Sequence, residues 1–594
     1  MVGLLCGSAL GVLGTLAAPG TARAESFEIG DGWEVKTLLD LSVGAAMRTR
    51  NPDSSLISRG NGGVGDGTTT DDGNKNYKAG DLYSGIGKAL GEVELSKNGI
   101  GVFARGKAWY DAVTERKGVP FGSSANGYVA GARLNDDDFY SLSKFKGVEL
   151  LDAYAFGGFD LGTDTNVAVK AGNHVVNWGE SLFVSGINQY NIIDASAARR
   201  PGAQIKEILL PLPQVSANIG FGGGFSAEAF YQFAWKSSVF EGCGTYWGPS
   251  DTLNCSDLGA NLTSAPYGDR AGYYGIPQLG GLNNRMSNAG KDEARNSGQF
   301  GAALRYFSSD LGTDFGAYYA QYHQRNPIFS LVKSPTTIAR SLYGVPGRYS
   351  QYFEDFSAED IKVVGLSAST AIAGWSVGGE ISRAFGVPAQ INTSDLVSGL
   401  VSGVGPMAHL ARLPNGSVIR GYDRKDKTQI QLSTIKSFPN VAGADSLSFL
   451  GEVAFQHWSG IGDPNSSTRY GRSPLYSRAA TNTSPCGTSV ADYCAAEGYA
   501  TSNSWGLRTQ FALNYTDVFA GVNLVPRLSI AWDVSGYSPD GTFIQDRVNV
   551  GFGVRANLLQ QYYADINYSV YNHKAKYDAQ RDRDFVSLVV GMTF

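Results

Sequence analysis

Val586-Ser587-Leu588-Val589-Val590-Gly591-Met592-Thr593-Phe594 closes the chain, and Val586, Leu588, Val590, Met592 and Phe594 fall on every second position. Successive residues of a strand point to opposite faces, so this spacing gives one strongly apolar face ending in an aromatic ring.

The same two-residue period recurs upstream. Tyr562, Ala564, Ile566, Tyr568 and Val570 alternate with Tyr563, Asp565, Asn567 and Ser569, and Val548, Val550, Phe552 and Val554 alternate with Arg547, Asn549 and Arg555. Leu528, Ile530 and Trp532 form another apolar set. Trp505, Leu507, Phe511 and Leu513 oppose Arg508 and Gln510. Near the start, Trp33, Val35, Leu39, Leu41 and Val43 oppose Glu34, Lys36, Asp40, Ser42 and Arg48. A strand crossing hydrocarbon in a closed barrel needs about 9–11 such residues, apolar toward lipid and polar toward the lumen. The last strand then resembles the terminal signal by which outer-membrane barrels are recognised for assembly.

Scanning with this template gives about 18 strands, beginning near residues 33, 89, 101, 148, 166, 214, 225, 298, 314, 361, 375, 428, 446, 504, 527, 546, 561 and 585. Counts of 14 or 16 are the alternatives, the segments near 148 and 428 being weakest. Long connections (near 48–88, 114–147, 177–213, 237–297, 324–360, 384–427 and 458–503) alternate with tight turns. That is the arrangement of long extracellular loops and short periplasmic turns in a bacterial barrel. The expected fold is a transmembrane antiparallel up-and-down β-barrel of the Gram-negative outer membrane.

Composition agrees. Of 594 residues, 77 are Gly and 31 Tyr, and charged residues make up only 17 %. The mean hydropathy of −0.16 is that of an apolar exterior offset by a polar interior. A net charge of −5 carries no basic stripe and argues against a nucleic-acid partner. Residues 1–24 read as a signal peptide, apolar from Leu4 to Ala18 and ending in Ala22-Arg23-Ala24. No later apolar run reaches the roughly 18 residues of a helical span. Cys243 with Cys255 and Cys486 with Cys494 form two local pairs, which in an exported chain favour disulfides that staple loops.

Ile187–Pro213 stands apart from the other connections. Arg199-Arg200-Pro201-Gly202, a short helical pattern with Lys206 and Glu207, and Leu210-Pro211-Leu212-Pro213 are too apolar for a solvated loop. The segment reads either as an inward-folded constriction or as a surface loop packed on its neighbours.

Here the sequence also resembles a known family. Val175-Val176-Asn177-Trp178-Gly179-Glu180-Ser181, Gly186-Ile187-Asn188, Asp194, Arg200-Pro201-Gly202-Ala203, Lys206-Glu207 and Leu210-Pro211 carry the likeness. So do Phe230 to Trp235, Asp533 to Gly541 and Arg583-Asp584-Phe585. Together they resemble the domain-of-unknown-function 1302 family of proteobacterial outer-membrane proteins over essentially the whole mature chain. Tyr190-Asn191-Ile192-Ile193 departs from the pattern, which has a Pro two residues before Asp194. The resemblance implies an outer-membrane location, with a periplasmic or lipoprotein partner and an inner-membrane efflux-type transporter. It also implies a setting of sterol or other lipophile degradation. It implies no settled activity.

Motifs for chemistry are sparse. Gly60-Asn61-Gly62-Gly63-Val64-Gly65 fits a dinucleotide fingerprint in spacing, but no strand feeds it and no helix opens from it, so no cofactor is expected. Asp66, Asp71 and Asp72, and the run Asp136-Asp137-Asp138, offer oxygens for Ca²⁺. Solvated acidic loops are the commoner outcome, so no metal is expected. His174, His323, His409, His457 and His573 show no triad spacing. Trp33, Trp235, Trp458, Trp505 and Tyr571 read as interface girdle, and Tyr246 and Trp247 as loop aromatics able to stack on sugar.

The predicted lumen face carries both signs, with Lys36, Arg105, Lys107, Lys170, Arg508, Arg547 and Arg555 against Glu34, Asp40, Glu228, Glu380, Glu452 and Asp565. Mutual pairing is the expected role of most. Trp178, Glu180, Arg199, Arg200, Lys206, Glu207, Arg105, Lys107, Arg508 and Arg555 are the substrate-path candidates. The first functional reading is a non-enzymatic channel or transporter for hydrophobic or amphipathic small molecules. A receptor or adhesin acting through stapled loops is the alternative, and a barrel-embedded hydrolase is a third.

Overall fold

The computed structural model describes residues 25–65, 70–255, 260–261, 267–275, 285–333, 350–476 and 497–594. The signal-peptide residues, Asp66 and the Cys486–Cys494 pair lie outside them.

Eighteen antiparallel strands close on themselves. Numbered here as barrel strands, they are β1 Trp33–Arg48, β2 Leu82–Lys97, β3 Ile100–Asp111, β4 Lys146–Leu161, β5 Thr165–His174 and β6 Leu212–Gly222. Next come β7 Phe225–Gln232, β8 Gln299–Ser308, β9 Thr313–Tyr322, β10 Ile361–Ile372, β11 Trp375–Gln390 and β12 Tyr422–Val441. The ring ends with β13 Ala444–Trp458, β14 Asn503–Phe519, β15 Val522–Ser535, β16 Val548–Leu558, β17 Tyr562–Tyr571 and β18 Phe585–Thr593. The seam is sealed where β1 pairs with β18, Val43 opposite Val590, and the Phe594 amide donates to the Leu39 carbonyl at 2.9 Å. Both weak segments are strands (β4 and β12), so the count is 18 rather than 14 or 16.

The alternation read from sequence is the alternation of exposure. Leu588 and Val590 are 52 % and 50 % exposed, whereas Val589 between them is 3 % exposed. Leu304, Leu366, Ile430, Leu432 and Ile566 continue the outward apolar belt. A closed ring satisfies every strand's hydrogen bonds internally, and an apolar outer wall then faces hydrocarbon. Among the described residues no helix is long and apolar enough to cross a membrane.

Turns of two to four residues close the periplasmic end. Asn98-Gly99 has positive φ at both positions, 51° and 79°, the left-handed pair a tight hairpin needs. At the other end, parts of the long loops fold together. Asn288–Asp292, Ser350–Asp355, Ile328–Lys333 and Val418–Ile419 form a small outer sheet, against which the helix Thr393–Ser402 buries Leu396 and Leu400. Cys243 and Cys255 form a disulfide.

The expected aromatic girdle is corrected in part. Trp33 and Trp505 are outward and 37 % exposed, but Trp235, Trp458 and Tyr571 are buried. Trp235 packs on Phe356 at 5.1 Å, and Lys427 lies over the Trp458 ring. Tyr246 and Trp247 are also buried, stacked among Tyr83 and Phe585, and offer no face to a sugar.

Candidate functional site

Between β5 and β6 the chain runs from 175 to 211 and turns into the barrel. Its backbone amides must find partners there, because buried amides left unpaired are costly. Inward-facing carboxylates supply them. Glu452 on β13 accepts from the amides of Leu182 at 2.5 Å, Val184 at 2.6 Å and Phe183 at 3.3 Å. Glu380 on β11 accepts from Glu180 at 2.7 Å and Ile187 at 2.9 Å. On β12, the Ser433 hydroxyl donates to the Glu180 carbonyl and the Gln429 amide to that of Ser185.

The segment then reaches the far wall. Asp194 accepts from Lys107 of β3 at 3.0 Å. Lys88 of β2 donates to Glu207 at 2.9 Å and to the Gly202 carbonyl at 2.7 Å. Lys206 meets Glu92 of β2 at 2.6 Å. Pro201 rests on Gly44 of β1, where an added Cβ would come within 2.8 Å of it. Since β11–β13 and β1–β3 stand on nearly opposite sides of the ring, the segment crosses the lumen.

Three cavities follow one another along the β1–β5 and β15–β18 wall. The outermost, about 70 Å³, is lined by Tyr83, Asp111, Arg199, Arg200 and Trp247. The next, about 50 Å³, shares Tyr83, Arg199 and Arg200 with it and adds Gln204, Arg527 and Arg555. The third, toward the periplasm, is about 540 Å³ and shares Gln204 and Arg555 with the second. Its walls hold Arg105, Lys170, Lys206 and Arg555 against Asp40 and Asp152, with Tyr154 and His174 between them. The first two hold only a few waters each, since one water needs roughly 10–15 Å³ of such volume. The narrowing is at the Arg199–Gln204 turn.

The substrate-path candidates divide accordingly. Arg200, Lys206, Arg105 and Arg555 line the cavities. Arg200 is held by the carbonyls of Leu142 at 3.0 Å and Lys144 at 2.8 Å and lies over Trp109. Arg105 pairs with Glu92 and, at 2.6 Å, with Asp152. Arg199 lines the first two cavities as well, held rigidly in place. It is 3 % exposed, paired with Glu241 at 3.1 Å and stacked on Trp247.

The other candidates line none of the three cavities. Trp178 is packed among Tyr190, Phe230 and Tyr318 and is 1 % exposed. Glu180 sits on the β10–β12 side. Lys107 and Glu207 are buried in the ion pairs that anchor the segment. Arg508 pairs with Asp533 at 2.6 Å, which Arg547 also contacts. For Lys107, Glu207 and Arg508, satisfying a buried charge consumed the group expected to meet a solute.

Arg527, Tyr154 and Tyr563 line the cavities but are absent from the sequence-derived path. Arg527 precedes the outward Leu528 by one residue, so strand parity alone places it inside. The acidic loop expected to be solvated is instead enclosed, with Asp71 and Asp72 both 0 % exposed.

For the hydrolase reading, His174 Nε2 lies 2.8 Å from Ser216 Oγ, but its Nδ1 faces the Gly172 carbonyl rather than a carboxylate. His573 Nε2 lies 2.8 Å from Asp584, with no serine among its hydrogen-bond partners. The described residues form no triad.

A model of the family described as "Protein of unknown function (DUF1302)" matches residues 5–594. No curated protein matches the sequence. Among solved structures, OccAB1 of Acinetobacter baumannii aligns over 97 % of this chain and 99 % of its own, at 10 % identity and a TM-score of 0.39. OpdL of Pseudomonas aeruginosa covers 94 % and 98 %, at 10 % identity and a TM-score of 0.33. OprB of Pseudomonas putida covers 94 % of each chain, at 9 % identity and a TM-score of 0.34.

Proposed function

The chain belongs to the DUF1302 family, and from that premise we propose that it is an outer-membrane channel for small amphipathic anions, with residues 175–211 as its constriction. One observation carries the reading, namely the run of three adjoining cavities narrowed at the Arg199–Gln204 turn and opening into a vestibule of about 540 Å³. Four cationic side chains face two carboxylates in that vestibule, while the Leu38, Ile205 and Leu209 side chains supply apolar surface. Such a wall suits a molecule with one anionic end and a lipophilic body, a sterol acid for example. Passage of anything larger than a few waters requires the turn to shift. A periplasmic lipoprotein and an inner-membrane efflux-type transporter are the partners that fit such gating from the periplasmic side.

Reversal potentials in a salt gradient test this. The purified barrel in planar bilayers is expected to favour anions, and Lys170→Gln, Lys206→Gln and Arg555→Gln together are expected to shift preference toward cations. Cholate flux into liposomes should fall in the same variant while flux of a neutral sugar stays level. No conductance above bare lipid, or a selectivity the three substitutions leave unmoved, would remove the reading.

A further inference from the structure

We propose that Asp71, Asp72 and Asp251 form a site for a hard divalent cation of the calcium type, which fastens the first outer loop to the fourth. Asp71 and Asp72 belong to loop 49–81 and Asp251 to loop 233–298. All three are enclosed, at 0 %, 0 % and 6 % exposure, and offer one oxygen each within 4.8 Å of the others. Asp269 adjoins them, sharing the Asn61 side-chain amide with Asp71.

An independent observation points to a ligand. One oxygen of Asp72, Oδ2, accepts from the Tyr128 hydroxyl at 3.1 Å. The other, Oδ1, is fully buried and meets no hydrogen-bond donor among the described residues. An ionised oxygen so placed is costly unless a cation meets it.

The charge count and the donor chemistry agree. Cationic groups facing the carboxylates include Lys75, whose ammonium donates to the Asn61 carbonyl at 2.8 Å, and Arg583, whose Nη2 lies 3.4 Å from where a Gly73 Cβ would sit. Among the described residues the carboxylates outnumber these cationic groups, so the cluster favours an added positive charge. The ligand atoms the three residues offer are all carboxylate oxygens, which selects a hard cation over zinc. Calcium suits an enclosed carboxylate cage better than magnesium, which retains several waters.

The site is also prebuilt. Asp251 lies within the span closed by the Cys243–Cys255 disulfide, and its Oδ2 accepts from the Asp71 amide at 3.0 Å. The Ser58 amide donates to Asp71 Oδ2 at 2.8 Å. Sequence distance hides this, since Asp71 and Asp251 are 180 residues apart.

The test uses the full-length barrel in detergent, stripped with EGTA and given Ca²⁺, Mg²⁺ or Zn²⁺ separately. Equilibrium dialysis should find one bound Ca²⁺ per chain that the Asp72→Asn, Asp251→Asn double variant lacks. At about a hundred times its Kd, Ca²⁺ should slow proteolysis of the opened loops by about a hundredfold. The isosteric Asp72→Asn chain should reverse order with conditions. It should be more protected than wild type in EGTA, where it removes a repelling charge, and less protected in Ca²⁺. Equal Ca²⁺ retention by wild type and double variant, or loops equally protected with and without the ion, would overturn the site. Protection gained only by acidification would do the same, because protons would then hold the carboxyls together.

Discussion

Replacing Glu452 and Glu380 together by alanine is expected to raise single-channel conductance several-fold and to make the current fluctuate. Those two carboxylates accept the amides of Glu180, Leu182, Phe183, Val184 and Ile187. An orphaned buried amide costs about 1–3 kcal/mol, so on the order of 5–15 kcal/mol of anchoring is at stake on that wall. The lysine pairs on β1–β3 hold the opposite half of the segment and cannot replace those bonds. The segment should therefore leave the β11–β13 wall while staying tethered to β2 and β3. Glu452→Gln retains one acceptor oxygen and should show a smaller rise. A conductance unchanged by the double substitution would mean that residues 175–211 are not the barrier.

The second large effect concerns which way the wall faces. Leu588→Arg places a charge on the outer belt, where Leu588 is 52 % exposed and flanked by Ile566 and Ala45 on neighbouring strands. A cation near the bilayer midplane costs about 2–4 kcal/mol, read from reversible urea unfolding in lipid vesicles. Ser587→Asp, one position away, places a small charge in the wet cavity beside Arg527 and Arg555, and should change stability by less than about 1 kcal/mol. Equal losses from the two substitutions would contradict the assigned faces.

The barrel was legible because its physics repeats every second residue. All 18 strand positions follow from alternation, and the two weakest, near 148 and 428, are strands as well. Strand ends were less legible. β2 begins at Leu82 rather than near 89, and β12 at Tyr422 rather than near 428. The extra residues Tyr422-Asp423-Arg424-Lys425 of β12 pair with β11 beyond a bulge but carry no hydropathy signal.

Side-chain partnerships were less legible still. Arg48 meets Asp582 across 534 residues, and Lys107 meets Asp194 across 87. Nothing local distinguishes an arginine held in such a pair from one open to a solute, which is why Arg508 and Lys107 stood beside Arg200 and Arg555 among the path candidates. Parity could have added Arg527. The acidic pair Asp71-Asp72 was visible in sequence, whereas its enclosure by Asp251 and Asp269 arises only when two outer loops meet.

Nitroxide scanning along β17, one residue at a time from Tyr562 to Tyr571 in lipid bilayers, tests the sealed, lipid-facing ring most directly. Ala564, Ile566, Tyr568 and Val570 should be open to dissolved oxygen and shielded from a water-soluble nickel chelate, while Asp565, Asn567 and Ser569 should lack oxygen access, giving a strict two-residue period. A period near 3.6, or chelate access along the whole stretch, would contradict it.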